Sequence, residues 1–227
     1  QAFSCPSSGP GSRISSFDLD TITGQTLHNG LAVLNGEIFV ATDPATGPKP
    51  VYVFDFQGNL LRQFDQPPTA SATLNGYLDG ASDGFGTLIW CHDDGVEFTD
   101  VNGNPVTTVV AANGPQTVGA NPLTGQWEVG LGIVRGIAFD PAGNGGNGSI
   151  LVGDLTDSIV EIDLDGNILR SYGNLAFWDV NGLALAAGGN ILVNSDDNDG
   201  SIVTINRATG LPTGFSASLD RNGLEGA

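Results

Sequence analysis

Four times along the chain an unbroken apolar triplet is followed, one short turn later, by a second strand-like run. The triplets are Ile38-Phe39-Val40, Leu88-Ile89-Trp90, Ile150-Leu151-Val152 and Ile191-Leu192-Val193. Unbroken apolar runs of this length predict strands buried between packed sheets. Val51-Tyr52-Val53-Phe54-Asp55 and Ile159-Val160-Glu161-Ile162-Asp163 alternate instead, which predicts half-exposed strands. Gln57-Gly58-Asn59 and Asp165-Gly166-Asn167 supply the positive φ that tight hairpins need.

These pieces belong to one repeating unit. It opens on Asn/Asp-Gly and an inner strand, turns at glycine, runs through the apolar triplet to Asp, and closes with a hairpin. The copies run Asn29 to Phe64, Asp79 to Val110, Arg135 to Tyr172 and Asn181 to Phe215. Their hairpin glycines, Gly58, Gly103, Gly166 and Gly210, recur at about 45, 63 and 44 residues, against ~40–45 for a four-stranded propeller blade. The long interval holds an insertion near 111–132, with its own turn at Asn121-Pro122-Leu123-Thr124-Gly125. Each such unit needs a neighbour to bury its faces. The expected fold is therefore all-β: a β-propeller of about five four-stranded blades. The fifth is fractional and divided between Ile14 to Leu27, read as two strands, and Asn222 to Ala227, read as the start of another. The ends close the ring within one chain, or the last strand adds to another copy, or the chain is part of something longer. An N-terminal arm, 1–12, precedes a single propeller domain, 13–227.

Composition narrows the partners. Gly contributes 34 and Pro 12 of the 227 residues, which fits many turns. Seven Lys+Arg stand against 25 Asp+Glu, for a net charge of −18. No basic surface is available to neutralise phosphates, so nucleic acid is excluded as a partner. No stretch approaches the ~20 apolar residues of a membrane helix, so no membrane insertion is expected. The acidic excess reads either as a soluble surface or as an attraction for Ca²⁺. The two cysteines, Cys5 and Cys91, allow one disulfide in an oxidising, extracellular setting.

The densest acidic run is Asp196-Asp197-Asn198-Asp199-Gly200. Its Asp197-x-Asp199-Gly200 matches part of a calcium loop, but Ser195 stands at the first position and no Glu follows at the twelfth. Asp43, Asp154 and the segment His92-Asp93-Asp94-Gly95 occupy the same place in the other copies, where Asp builds turns. Asp140-Pro141-Ala142-Gly143-Asn144 reads as the turn between the first two strands of the third copy. Asn147-Gly148-Ser149 has the form of a glycosylation acceptor. Trp127, Trp178 and Tyr77 are candidate stacking platforms for carbohydrate. The two histidines are His28 and His92, and no HExxH, GxSxG or CxxC motif is present.

The Asn-Gly-apolar-Ala openings, the apolar-apolar-Val-x-Asp strands and the Phe/Ile-Asp-x-x-Gly-Asn hairpins resemble NHL-type propellers. They also resemble the calcium-dependent gluconolactonase and strictosidine-synthase-like group, and many secreted bacterial propellers share them. The resemblance covers nearly the whole chain as a repeat pattern. It implies a divalent metal in a central channel, with ligands at the entry of the inner strands. The matching positions are Asn29, Asp79, Asn181 and Asn222, while the third copy departs with Arg135. His28 would then stand beside a metal-bound water as a general base. Taken together, the expected function is a secreted or cell-surface binding and self-assembly module, stabilised by Ca²⁺, whose partners are proteins including its own copies. The alternative is a metal-dependent lactonase or esterase.

Overall fold

The computed structural model describes residues 17–44, 47–67, 76–92, 95–106, 117–119, 134–154, 159–172, 180–186, 188–195 and 201–218. Among these the chain builds four antiparallel four-stranded sheets in sequence order. The first sheet holds β1 (His28–Leu34), β2 (Glu37–Thr42), β3 (Pro50–Asp55) and β4 (Leu60–Asp65). The second holds β5 (Asp79–Ser82), β6 (Leu88–His92), β7 (Gly95–Thr99) and β8 (Thr117–Gly119). The third holds β9 (Val134–Asp140), β10 (Ser149–Asp154), β11 (Ile159–Ile162) and β12 (Ile168–Ser171). The fourth holds β13 (Val180–Leu185), β14 (Ile191–Ser195), β15 (Ser201–Ile205) and β16 (Pro212–Ser218). The inner strands β1, β5, β9 and β13 pack on one another in that order. Repeated four-stranded meanders side by side are propeller blades, as the repeats predict.

The core lies between blades. Ala32, Phe39, Val51 and Val53 of the first blade meet Tyr77, Leu88 and Trp90 of the second. Ile89, Val96 and Phe98 on the far side of the second meet Ile137, Ile150, Val152 and Val160 of the third. Ala138, Leu151 and Ile159 of the third meet Val180, Leu183, Ile191 and Val193 of the fourth. The second and third triplets thus divide their side chains between two neighbouring blades, whereas Ile38 and Val40 of the first face Phe17 and Leu19, and Leu192 of the fourth is half-buried.

Four expectations are corrected. In the segment Ile14 to Leu27 the described residues, from Phe17 on, form no strand pair, because Leu19–Thr23 is a short helix, α1. Asp18 caps it by accepting from the Thr21 amide at 3.2 Å, and Gly24 ends it at φ 69°. Phe17 and Leu19 then pack on Val40, Tyr52 and Phe54 of the first blade. The second correction follows from the first. The alternating run Val51–Asp55 is buried on both faces, since one face meets the second blade and the other meets α1. Ile159–Ile162 is likewise buried throughout, between the second and fourth blades. Third, the outer strand of the second blade, β8, comes from inside the segment read as an insertion. Among the described residues the stretch after the hairpin contributes a bridge from Pro105 to Thr99 and a bond from the Val106 amide to the Phe98 carbonyl at 3.0 Å. Fourth, Cys91 is a free, fully buried thiol, so no disulfide is seen. Cys5 and Asn222 to Ala227 lie outside the described residues.

The hairpin that closes each blade is built the same way. Asp55 Oδ1 accepts from the amides of Gln57 and Asn59, both at 2.9 Å, and Asn59 Nδ2 donates to Asp55 Oδ2 at 2.8 Å. Asp100 with Asn104 and Asp163 with Asn167 repeat this pattern, and Asn206 substitutes for Asp in the fourth blade. The Asn59 side chain, more than any other group, holds the Asp55 carboxyl below its ordinary range. Gly58 sits at φ +84°, and a Cβ there would come within 2.7 Å of the Phe17 ring. Gly36, at φ +83°, has open space around it. Gly36→Ala should therefore cost about 1 kcal/mol from backbone strain alone, and Gly58→Ala about 2–3 kcal/mol. Equal losses in urea melts of the two variants would show that Phe17 does not hold the helix against the first blade.

Candidate functional site

The register of the inner strands decides what the blade entries hold. Ala32, Ala81, Ala138 and Ala184 stand opposite Phe39, Ile89, Leu151 and Leu192. Counting back from these alanines, Gly136 pairs with Gly153 and Gly182 with Asn194, whereas Asp79 pairs with Cys91. Asp79 thus occupies the place of the inner-strand glycines, not that of Asn29, Arg135 and Asn181. The second copy is one residue shorter between its glycine and its alanine, and the Asp-Gly pair slides by one. The cause is Trp90. A Cβ on Gly80 would lie 2.7 Å from the Trp90 ring, so the second blade takes glycine where the other blades carry Leu31, Ile137 and Leu183.

Asp79 is consequently turned toward the next blades. Its Oδ2 accepts from the Ile137 amide at 3.0 Å and its Oδ1 from the Gly80 amide at 2.8 Å. The Leu183 amide of the fourth blade contributes as well. Burial outweighs these bonds and pushes the carboxyl up to about 7. The group ties three inner strands together. Its oxygens are engaged by backbone amides, which leaves them poorly placed to serve a cation. Asn29 is exposed and Asn181 half-buried. Among the described residues no three His, Cys, Asp or Glu side chains gather as a metal cluster. Asp196, Asp197, Asp199 and Asn222 lie outside the described residues.

The remaining sequence candidates are occupied structurally. His28 Nε2 lies 3.0 Å from Thr23 Oγ1, and its Nδ1 lies 3.4 Å from Asp20. Desolvation lowers its pKa. The ring fastens α1 to β1 instead of facing a channel water. Tyr77 is fully buried, stacked on Trp90 at 4.8 Å, and donates to Glu97 at 2.9 Å, so it offers no platform to a sugar. Trp127 and Trp178 lie outside the described residues. Ser149 is fully buried and donates to Glu161 at 2.7 Å, which withdraws its hydroxyl from the Asn147-Gly148-Ser149 motif. Asp43 pairs with Lys49 at 2.9 Å. Asp140 accepts from the Ala142 amide at 2.9 Å, as a turn residue should.

Sequence reasoning missed the polar locks between blades. Arg207, on the β15–β16 hairpin, reaches back to Asp140 and Glu161 of the third blade. Ser149 Oγ and the Tyr172 hydroxyl complete the set around Glu161. Arg62 forks onto Glu37 at 2.6 and 2.8 Å and donates to the Val101 carbonyl of the second blade at 3.1 Å. For Arg62 the available signal was an Arg directly after the apolar pair Leu60-Leu61, whereas Arg207 stands in the turn itself and carries no such mark. The partners are distant in sequence and could not be read from it.

Two surface features remain. A cleft of about 490 Å³ opens between the outer parts of the first and second blades, lined by Pro48, Pro67, Pro105, Lys49, Asp65 and Gln66. Beyond the hairpin glycines, pairs of large apolar side chains are exposed. Leu60-Leu61 and Ile168-Leu169 hold the same place in two blades, joined by Phe56 and Leu211 at the neighbouring turns.

The fold defines the chain as a β-propeller. The sequence matches no protein-family model and no curated protein. Solved structures supply the likeness. The Neurospora crassa Pan2 WD40 domain is 14% identical with a TM-score of 0.50, over 83% of this chain and 49% of that one. The WD40 β-propeller domain of Doa1 is 14% identical with a TM-score of 0.51, over 83% of this chain and 52% of that one. A chain of a nidogen/laminin complex is 14% identical with a TM-score of 0.50, over 83% of this chain and 79% of that one. The chain thus spans about half the length of the WD40 chains it resembles.

Proposed function

We propose that this chain is a secreted or cell-surface propeller that works by binding protein, its own copies included. The observation that carries the reading is the repeated exposure of Leu60-Leu61 and Ile168-Leu169 on the outer strands. Large apolar side chains held in water at equivalent positions cost solvation and are relieved by a protein partner. The net charge of −18 directs that partner toward basic or uncharged surfaces. The propeller neighbours include a complex between two proteins, in keeping with this use of the fold. Calcium, in this reading, is taken by the run Asp196, Asp197 and Asp199.

The test is affinity capture with cross-linking from the native source, using wild type beside Leu60→Ser/Leu61→Ser/Ile168→Ser/Leu169→Ser. A partner held by the wild type and lost from the quadruple variant supports the reading. Equal recovery by both proteins counts against it. Turnover of lactones or esters that disappears with chelator replaces it with the hydrolase alternative. For calcium, a melting temperature that rises with CaCl₂ and falls back with EDTA is expected, and an unchanged melt removes the ion from the account.

A further inference from the structure

We propose that the segment from Phe17 to Thr23 is a built-in cap, which stands in for a preceding blade and closes the joint face of the first blade to other β-sheets. This goes beyond the protein-binding reading and does not depend on the Leu60-Leu61 surface.

Each later blade meets its predecessor through one face of its second and third strands. In the third blade that face carries Ile150, Val152, Val160 and Ile162, and in the fourth Ile191, Val193 and Ile205. Register gives the equivalent residues of the first blade. Val152 pairs with Val160 and Ile150 with Ile162, as Val193 pairs with Val203 and Ile191 with Ile205. The same places in the first blade hold Val40 with Tyr52 and Ile38 with Phe54. No described blade precedes them, yet Val40 is 3% exposed, Tyr52 7% and Phe54 0%. Phe17 and Leu19 cover them. The Phe17 and Phe54 rings lie 5.5 Å apart, and the Tyr52 hydroxyl donates to the Thr23 carbonyl at 3.4 Å.

A second correspondence lies outside that face. Two hairpin glycines of later blades sit under an aromatic ring of the blade before. A Cβ on Gly103 would run into the Phe64 ring of the first blade, and one on Gly210 would lie 3.6 Å from the Tyr172 ring of the third. Phe64 and Tyr172 hold equivalent places. Phe64 pairs with Val51, which stands opposite Ala41, and the Tyr172 amide donates to the carbonyl of Ile159, which stands opposite Gly153. For Gly58 of the first blade the ring is Phe17, 2.7 Å from such a Cβ. Phe17 therefore supplies the outer aromatic of a preceding blade without the blade.

The segment is built to end a stack of sheets. Phe17 and Leu19 are half-buried against the blade, while Asp18, Asp20 and Thr21 are exposed. The cap is thus apolar toward the blade and acidic toward water, as a terminal unit of a repeat array must be. Without it Val40, Tyr52 and Phe54 would join Leu31 and Val33, already 50% and 43% exposed on β1, in one apolar surface. A surface of that kind on a β-sheet takes up other sheets.

The test compares full-length Phe17→Ser/Leu19→Ser with the wild type by circular dichroism, ANS fluorescence and light scattering over a concentration series. The variant should keep the wild-type circular dichroism and raise ANS emission severalfold. At the highest concentrations it should reach about twice the wild-type mass. Adding Leu31→Lys, which places a charge on the same face at an exposed position, should return the mass to that of the wild type. If the double variant fails to fold, Asp18→Ala/Thr21→Ala removes the helix cap, leaves both apolar side chains, and should move both readouts the same way by less. Wild-type ANS emission and mass in a folded variant overturn the proposal. So does ANS binding without a gain in mass, which is an exposed patch that joins nothing. A gain in mass that survives Leu31→Lys comes from another surface and overturns it too.

Discussion

Arg207→Ala should destabilise the fold by about 3–5 kcal/mol at neutral pH. Among the described residues the guanidinium is the one cation paired with two carboxylates that are nearly out of solvent, with Asp140 8% and Glu161 6% exposed. Removing it leaves two like charges near each other, with only Ser149 Oγ and the Tyr172 hydroxyl donating to Glu161. For a chain of this size such a loss lowers the melting temperature by roughly 10 °C. The effect has a characteristic pH dependence. Burial is the largest influence on both carboxyls and raises them, but the Arg207 hydrogen bonds and the other donors together outweigh it, and both end below their ordinary values. Groups depressed in the folded state stabilise it above their ordinary range and lose that contribution as pH falls through the folded value. In Arg207→Ala burial acts with no cation to oppose it, and protonation relieves the strain. The penalty should therefore be largest near pH 7 and shrink toward pH 4. Urea melts across that range check this. A penalty under 1 kcal/mol, or one that does not change with pH, would show that the lock contributes little.

The second large effect belongs to Asp79 and has the opposite sign. Its carboxyl is raised from 3.8 to about 7, first by burial. A group raised in the folded state contributes stability that is complete below the unfolded value and is lost as pH rises through the folded one. A tenfold difference in proton affinity between the folded and unfolded chain is worth ~1.4 kcal/mol, so the wild type should lose about 3 kcal/mol between pH 5 and pH 8 from this residue alone. His28, whose pKa is lowered chiefly by desolvation, works against this by gaining stability as pH rises. The comparison with Asp79→Asn removes that background, because His28 is common to both proteins. Asn keeps an oxygen for one of the Ile137 and Gly80 amides, turns its Nδ2 donor toward the other at a cost that does not vary with pH, and cannot ionise. Relative to the wild type, the variant should gain about 3 kcal/mol of stability from pH 5 to pH 8. Parallel stability curves for the two proteins would show that Asp79 does not carry its proton in the fold.

Much of the architecture was legible because it is local. An apolar triplet between two turns reads as a buried strand, and all four proved to be the second strand of a blade, with Leu192 of the fourth only half-buried. The hairpin glycines were legible for the same reason. Gly58, Gly103, Gly166 and Gly210 all lie at positive φ, beside an Asp or Asn whose oxygen serves the turn amides. The inner-strand residues were less legible. Asp79 stands before a glycine just as Asn29 and Asn181 do, and only the bulk of Trp90 across the strand pair moves it to another position. Tyr77 and His28 read as surface groups, yet each is placed by a partner from another element, Trp90 and α1 respectively. The segment Leu19–Thr23 has the composition of a strand end, and its Asp18 and Gly24 caps turn it into helix.

The sequence by itself determined the repeating unit, its strand order and the turn chemistry. These depend on side-chain alternation and on φ preferences within a few residues. The tertiary structure alone decided which faces meet, that Arg207 locks the third blade to the fourth, and that Asp79 binds three inner strands. It also decided that Leu31 is exposed and Leu192 half-buried, with no described blade against either. The physical reason is that burial belongs to pairs of surfaces. A sequence states how apolar each surface is, and only packing states what covers it.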